Sequence, residues 1–178
     1  MSADRDSTRH HADRGTAQDD PRLDRVTPLN PANAVAAIIV VKDTYLLQLR
    51  DRKRGIFFPN QWGCFGGAVE PGEAIEQALT RELHEELGLD VASMPFRYFT
   101  RFDFDLAFAG LQSIWRYFYE IELARGDLDP LQLQEGSGMA LFSIDQIVTG
   151  AIAITPYDSF ALWFHINRNR LRDRAAGD

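Results

Sequence analysis

One stretch decides the fold: residues 66–89 read GGAVEPGEAIEQALTRELHEELGL. Within it, apolar residues recur every four positions, the spacing of one face of an α-helix; they are Ile75, Leu79, Leu83 and Leu87. Gly88 follows directly, and glycine is the residue that most readily takes the left-handed turn ending a helix. The pattern therefore predicts a helix over residues 73–87, introduced by Pro71-Gly72 and ended by Gly88.

The predicted helix carries an acidic face. Glu82, Glu85 and Glu86 stand at positions i, i+3 and i+4, so they project from the same side. Like charges at this spacing destabilise an isolated helix by about 0.2–0.5 kcal/mol per pair. A divalent cation relieves that repulsion, and a ligand set made only of oxygens suits Mg²⁺ or Mn²⁺.

The acidic charge of the whole chain is concentrated in the same stretch. Residues 66–90 hold seven acids and one base, a net −6, whereas the rest of the chain holds 19 acids and 18 bases. A cluster this acidic repels nucleic-acid phosphates, so we expect no polymeric nucleic-acid partner. The plainer interpretation is a solvated acidic helix face.

Further elements are predicted on both sides of the helix. The apolar run 34–41 and the segment 45–50 form a β-hairpin, and residues 62–65 form a short strand. Residues 96–106 and 115–123 alternate and predict two antiparallel strands, each with one mostly solvated face. Ser143 caps a short helix over 143–148. A longer helix over 156–171 is expected to bury Phe160, Trp163, Phe164 and Ile166.

Length and composition fit one globular domain. The chain has 178 residues, of which 45% are hydrophobic and 25% charged. We predict a disordered tail over 1–30, a domain over 31–172 and a C-terminal tail over 173–178. No apolar run approaches the ~20 residues that span a bilayer, no secretory signal is visible, and the single cysteine suits a reducing compartment, so we expect a cytoplasmic protein without membrane contact.

The acidic helix and its preceding loop resemble the Nudix box in every defined position. The matching residues are Gly67, Glu73, Arg81, Glu82, Leu83, Glu85, Glu86, Gly88 and Leu89. The resemblance implies a single-domain α/β fold, an α/β/α sandwich with a mixed sheet, over residues 32 to 172. It also implies Mg²⁺- or Mn²⁺-dependent hydrolysis of a phosphoanhydride bond.

Residue roles follow from the same resemblance. It implies that Glu82, Glu85 and Glu86 bind the metal, that one of them, Glu85 or Glu86, also orients the attacking water, and that Glu73 and Arg81 pair to support loop and helix. The Gly67 carbonyl is a further candidate ligand, although a tight turn explains this glycine equally well. A general base is expected on a later loop, at Glu135; Glu120 and Glu122, on a predicted solvated strand face, are weaker candidates.

Substrate contacts are less sharply indicated. Arg50 and Arg52 could hold phosphates, and Phe58 and Trp62 could stack a base. A solvated basic loop and ordinary core packing are the competing interpretations. The expected substrate is a small nucleoside diphosphate linked to another moiety, with nucleotide-sugar-like diphosphates slightly favoured over nucleoside triphosphates.

Two other functions remain open at this point. One is an enzyme similar to isopentenyl diphosphate isomerase, suggested by Trp62-Gly63-Cys64, although a buried apolar role is the simpler interpretation of Cys64. The other is a non-catalytic Nudix ligand sensor, although such domains often lose box carboxylates that are all present here. A homodimer is possible by family resemblance.

Overall fold

The computed structural model describes residues 31–92 and 94–175, so the predicted tail over 1–30 lies outside the described residues. β1 (Ala34–Val41) and β2 (Thr44–Leu49) form an antiparallel hairpin, as predicted. β5 (Ile114–Glu122) runs parallel to β1, and β4 (Phe96–Phe104) pairs antiparallel with β5. The sheet is therefore mixed.

The second half of the sheet is built around β2. β6 (Gly138–Ser143) pairs antiparallel with β2 from Thr44 to Leu49. β3 (Trp62–Gly63) pairs with the end of β2. Because a strand has only two edges and β6 occupies one edge of β2 along its length, β3 shares the other edge with β1, which pairs nearer the start of β2. The path through the sheet is β3-β2-β1-β5-β4, with β6 attached to β2.

Helices cover both faces of this sheet. α1 (Ile75–Leu87) contributes Leu79, Leu83 and Leu87 to the core on one face. On the other face α3 (Pro156–Ala175) packs with the short α2 (Ile144–Val148), and Ala161 and Leu162 are fully buried there. The predicted three-layer α/β/α sandwich is confirmed.

The decisive helix has the predicted end and a slightly later start. Gly88 has φ 65° and its N–H donates to the His84 carbonyl at 2.9 Å, which ends α1 in the left-handed turn. At the other end the Ala74 N–H donates to the Gln77 side chain at 3.2 Å. Glu73 is therefore left in the preceding loop, where it is free to pair with other groups.

A β-bulge in β4 explains the one break in its alternation. The pairing with β5 shifts between Tyr98 and Thr100, leaving Phe99 as an extra residue. Phe96 packs into the core on the α1 side, whereas Phe99 and Phe102 pack into the core on the α3 side. Strict alternation over residues 96–106 would place Phe96 and Phe102 on one face, and the bulge puts them on opposite faces.

The prediction of a mostly solvated face on β5 is wrong. Arg116, Phe118 and Glu120 are all buried, at 8%, 0% and 4% exposure, because α3 covers them. Glu120 is consequently not a solvated loop or strand acid but part of the interior.

The buried face of α3 also differs from the prediction. Phe160 and Trp163 are 53% and 49% exposed and stack on each other, and Phe164 is only partly buried. The residues that face the sheet are instead Asp158, Ala161, Leu162 and His165, at helical i, i+3, i+4 and i+7 spacing. Asp158 and His165 turn inward because β5 presents Arg116 and Glu120 to them.

Most boundaries agree within a few residues. Ser143 caps α2 as predicted, accepting from the Gln146 N–H at 3.2 Å. α3 continues to Ala175, beyond the predicted end at Leu171, so residues 173–175 of the predicted C-terminal tail are helical, and residues 176–178 lie outside the described residues. Among the described residues, no helix is long and apolar enough to cross a membrane.

Candidate active site

The site begins where the Gly66-Gly67 pair runs beside β1. The Val35 N–H donates to the Gly67 carbonyl at 2.9 Å, which holds this loop against the strand. Gly66 has φ +124°, and a Cβ there would lie 2.3 Å from the Val35 carbonyl oxygen. Only glycine fits at Gly66, for reasons of both conformation and space.

Gly67 makes room for a carboxylate from α1. A Cβ at Gly67 would lie 2.4 Å from Glu82 Oε2 and 2.6 Å from Oε1. The group that approaches Gly67 closely is therefore the Glu82 carboxylate. Burial raises the pKa of Glu82, against the lowering effect of Arg81.

Glu86 is the buried carboxylate of the site, with 6% exposure. One oxygen accepts from the Gly66 N–H at 2.7 Å, and the other accepts from the Gln48 side-chain amide at 3.2 Å. Burial raises the pKa of Glu86 to about 7, although both hydrogen bonds act to lower it. Glu82 and Glu86 thus bring two carboxylates to two adjacent glycines.

Arg81 connects the loop to the helix. Its Nε and Nη2 donate to the two Glu73 oxygens, both at 2.9 Å, in a bidentate pair. Nη2 also donates to the Ala68 carbonyl at 3.0 Å, and Nη1 to Glu82 at 2.8 Å and Glu85 at 3.2 Å. The structure brings Glu73 and Arg81 together as the sequence predicts, and this pairing lowers the pKa of Glu73.

The remaining predicted acids lie at the rim of the site. The Glu85 side chain is 54% exposed and has Arg81 as an ion-pair partner. Glu135 is exposed on the loop before β6, and its negative charge acts to raise the pKa of both Glu82 and Glu86. Unlike the buried Glu86, both side chains are therefore accessible to a substrate and to water.

Gln48 is a site residue that sequence reasoning missed. It is 5% exposed, and its side-chain amide donates to Glu86 and to the Glu135 carbonyl at 3.1 Å. It thereby links α1, β2 and the loop that carries Glu135. The available signal was a lone amide in the otherwise apolar stretch Tyr45–Leu49, since a buried polar group needs a partner.

The predicted substrate-binding residues lie along the segment from the end of β2 to β3, in different surroundings. Arg52 is exposed, and Arg50 Nε is engaged with the Phe57 carbonyl at 2.9 Å. Phe58 has φ 51° and meets Tyr157 edge to face, with ring centroids 5.6 Å apart. Trp62 packs against Phe142 at 4.6 Å, next to the core on the α3 side, which is the packing role weighed against base stacking.

Cys64 is buried on the α3 side, with 2% exposure. Its N–H donates to Asp158 at 3.0 Å, and burial raises the pKa of its thiol well above the usual range. This environment matches the small buried apolar role of Cys64.

The donor set fits a hard divalent cation in one specific way. Among residues 31–92 and 94–175, no three Asp, Glu, His or Cys side chains are grouped so that they could hold a metal together. Mg²⁺, however, is usually bound by one or two carboxylates, with water and substrate phosphate completing its shell. Glu82 and Glu86 provide such a pair, and their raised pKa values reflect carboxylates that a cation would stabilise.

Comparison with known proteins decides the family. Residues 30–163 match the model of the NUDIX domain, which is more than half of the 178 residues. The chain belongs to the NUDIX family. The resemblance of residues 67–89 to the Nudix box is thereby confirmed.

Individual relatives agree with this assignment. The nucleoside triphosphatase NudI of Escherichia coli strain K12 is 52% identical over 54 residues, which are 30% of this chain and 38% of NudI. The match thus spans well under half the length of this curated relative. Among solved structures, the MutT protein from Methanosarcina mazei Go1 has a TM-score of 0.62 and 18% identity, covering 80% of this chain and 96% of that one. The E. coli ORF135 protein has a TM-score of 0.59 and 25% identity, covering 79% and 92%.

Proposed function

We propose that this NUDIX protein is a metal-dependent hydrolase that cleaves a phosphoanhydride bond of a nucleoside triphosphate. The observation that carries the proposal is the placement of Glu82 and Glu86 against Gly66 and Gly67. Two carboxylates there share a confined space, and the nearest cation, Arg81, is already bonded to Glu73, Glu82, Glu85 and a carbonyl. A divalent cation and a polyphosphate complement such a site.

The protein groups divide the work as follows. Glu82 and Glu86 would hold the metal ion, with the Gly67 carbonyl as a further candidate ligand. When bound, the ion would supply neutralising charge for phosphate oxygens and a lowered pKa for a water molecule. Glu85 and Glu135, both exposed beside this pair, are the candidates that accept a proton from the attacking water. Gln48 orients Glu86, and Arg81 holds the loop before α1 against the helix.

Nucleoside triphosphates are favoured over nucleotide-sugar-like diphosphates by the likeness to NudI. That likeness reaches 52% identity, although over a limited segment of 54 residues. The exposed Arg52 provides positive charge on the loop after β2 for the extra phosphates, whereas the neighbouring Lys53 is paired with Asp51 at 3.2 Å. Phe58, half-buried in the loop after β2, is the candidate for stacking the base.

The first test is a substrate panel with the full chain in Mg²⁺ and, separately, in Mn²⁺. The panel contains normal and oxidised nucleoside triphosphates, nucleotide sugars, ADP-ribose, NADH, dinucleoside polyphosphates and coenzyme A, and the products are identified by chromatography. Metal-dependent cleavage of a nucleoside triphosphate is expected. Preferential cleavage of nucleotide sugars would overturn the substrate proposal, and binding without turnover of any compound would favour the sensor.

The second test removes single charges from the acidic face. Glu86→Gln and Glu82→Gln are each expected to reduce kcat/KM by about 100-fold or more, because a ligand and its charge are lost. Glu85→Gln distinguishes a proton-accepting role, since it should reduce kcat while leaving metal binding intact. Glu70→Gln, an exposed acid in the preceding loop, is the matched control. Activity within a few-fold of the parent in Glu86→Gln would refute the ligand assignment.

A further inference from the structure

β4 leaves a long strand edge without a partner strand. It lies at the end of the sheet path, and β5 is the only described strand that pairs with it. None of its nine residues is buried, and five of them are aromatic. A strand of this length extends about 30 Å and presents a row of backbone N–H and C=O groups that favour pairing with another strand.

An aromatic surface adjoins this edge on the α3 side of the sheet. It consists of Phe102, Phe104, Phe160 and Trp163, and is called here the β4–α3 aromatic surface. Phe102 and Phe160 have ring centroids 4.9 Å apart, and Phe160 stacks on Trp163. Phe160 and Trp163 remain 53% and 49% exposed. Contiguous exposed apolar surface of this kind marks an interaction site.

The charges on β4 are self-complementary. Arg101 and Asp103 lie on the α1 side of the strand, with Arg101 Nε 3.2 Å from Asp103 Oδ1. If two copies of β4 pair antiparallel about a two-fold axis at Phe102, each Arg101 lies directly opposite the partner's Asp103. An axis at Arg101 would oppose two arginines, and an axis at Asp103 two aspartates, both of which are unfavourable. Of these three axes, the one at Phe102 alone places opposite charges against each other, so the charges favour it over the other two.

We propose that the protein forms a homodimer through antiparallel pairing of β4 with β4 of a second copy, centred on Phe102. The interface is isologous, so each feature is used twice. The two sheets join into one, and both β4–α3 aromatic surfaces lie on the same side of it, next to the axis. The structure favours a second copy as the partner because the β4 edge, the charge pattern and the aromatic surface of one copy each complement the same feature of another copy.

The test measures the mass of the full chain by sedimentation equilibrium across a concentration series. The parent is expected to approach twice the chain mass of 20.2 kDa. Arg101→Asp and Asp103→Arg should each raise the dimer dissociation constant at least about tenfold, because each homodimer then opposes like charges at two symmetric positions. Mixing the two variants should restore dimers, since one supplies two acids and the other two bases. The double variant Arg101→Asp/Asp103→Arg should restore self-association as well.

The controls are Arg125→Asp and Asp129→Arg, which make the same charge changes at exposed residues of the turn after β5. They should dimerise like the parent, and circular dichroism verifies the fold of every variant. A parent that stays monomeric overturns the proposal. A dimer indifferent to both single variants, or a mixture and double variant that both stay monomeric, overturns it too. Because the readout is mass, the result is independent of hydrolase activity.

Discussion

At the scale of single residues, the adjacent glycines Gly66 and Gly67 are required for different reasons. At Gly66 an added Cβ meets backbone, 2.3 Å from the Val35 carbonyl oxygen, in a conformation with φ +124°. At Gly67 an added Cβ meets the end of a flexible side chain, the Glu82 carboxylate. The first glycine is therefore needed for the fold, and the second for the position of the Glu82 carboxylate, which we propose binds the metal.

This difference predicts that alanine at Gly66 mainly lowers stability, whereas alanine at Gly67 mainly lowers activity. Gly66→Ala should lower the free energy of unfolding by several kcal/mol, since backbone strain adds to a backbone clash. Gly67→Ala should cost less stability but reduce kcat/KM by tenfold or more, because Glu82 must move. Urea denaturation and metal-dependent turnover measure the two effects. Equal losses of stability in both variants would contradict this division.

Gln48 allows a second test at this scale. Gln48→Leu removes the hydrogen bonds to Glu86 and to the Glu135 carbonyl without changing a charge. A buried acceptor left unsatisfied costs about 1–3 kcal/mol, so a loss of roughly tenfold or more in turnover is expected. Gln132→Leu changes an exposed amide nearby and serves as the control. Unchanged turnover in Gln48→Leu would show that Glu86 needs no support from β2.

At the scale of elements, α3 is held to the sheet by buried charge as well as by apolar contact. Asp158 accepts from Arg116 at 3.1 Å, from Thr155 at 2.9 Å and from the Cys64 N–H at 3.0 Å. Further along the helix, Glu120 accepts from His165 Nε2 at 2.9 Å. Removing one partner of such a buried ion pair lowers the free energy of unfolding by several kcal/mol, because the other charge stays buried without a counter-ion.

The residues around Glu120 form a second group. Arg97 donates to it at 2.7 Å from β4, Arg168 contacts it from α3, and Tyr45 and His165 are hydrogen-bonded at 2.9 Å. Burial acts to raise the pKa of Glu120, but the hydrogen bonds from Arg168 and His165 outweigh it and lower the pKa from 4.5 to about 2. Glu120 therefore stays ionised in the folded protein well below the pH at which it is protonated in the unfolded chain.

The sign of the pH dependence follows. A lowered folded-state pKa adds stability above the unfolded value near 4.5, and this stability is lost as pH falls toward 2. The shift corresponds to roughly 3 kcal/mol. Burial also lowers the pKa of His165, which removes stability as pH falls below about 6.5, in the same direction.

Glu120→Gln tests this account. The variant should be several kcal/mol less stable than the parent at pH 7, and the difference should shrink as pH falls from 4.5 toward 2. Urea denaturation at a series of pH values measures it. Glu122→Gln, an exposed acid on the same strand, should track the parent throughout. A difference between Glu120→Gln and the parent that does not change with pH would contradict the lowered pKa.

At the scale of the whole molecule, the negative charge is concentrated around the proposed cation site. Residues 66–90 carry −6 of the net −7, and their one base, Arg81, is already bonded to three of these acids. The remaining excess of negative charge lies along α1 and its preceding loop. Binding of a divalent cation should therefore stabilise the entire fold.

Thermal unfolding provides the corresponding measurement. Saturating Mg²⁺ at about 100 times its Kd should add about 2.7 kcal/mol to the free energy of unfolding and raise Tm by roughly 5–10 °C. EDTA should reverse the rise. Glu82→Gln and Glu86→Gln should abolish it, whereas Glu70→Gln should retain it. An equal rise in all variants would indicate that the cation acts elsewhere.

Sequence alone predicted what depends on local order along the chain. The four-residue spacing of Ile75, Leu79, Leu83 and Leu87 and the glycine after them predicted α1 and its end, and the same periodicity placed the three acids on one side. The pairing of Glu73 with Arg81 could also be expected, from family resemblance. These features depend on residues close together in sequence, where helical geometry relates them directly.

Contacts between distant segments were decided only by the tertiary structure. Gln48 and Glu86 are 38 residues apart, and their contact depends on how β2 packs beside α1. The buried face of α3 was mispredicted because the sheet presents Arg116 and Glu120 to it, so polar His165 and Asp158 turn inward and Phe160 and Trp163 remain outside. The sequence by itself determined the fold, the acidic helix and the oxygen-only character of the proposed metal site. Only the tertiary structure decided which carboxylates are buried and which aromatic side chains stay exposed, because burial depends on the partner that each face meets.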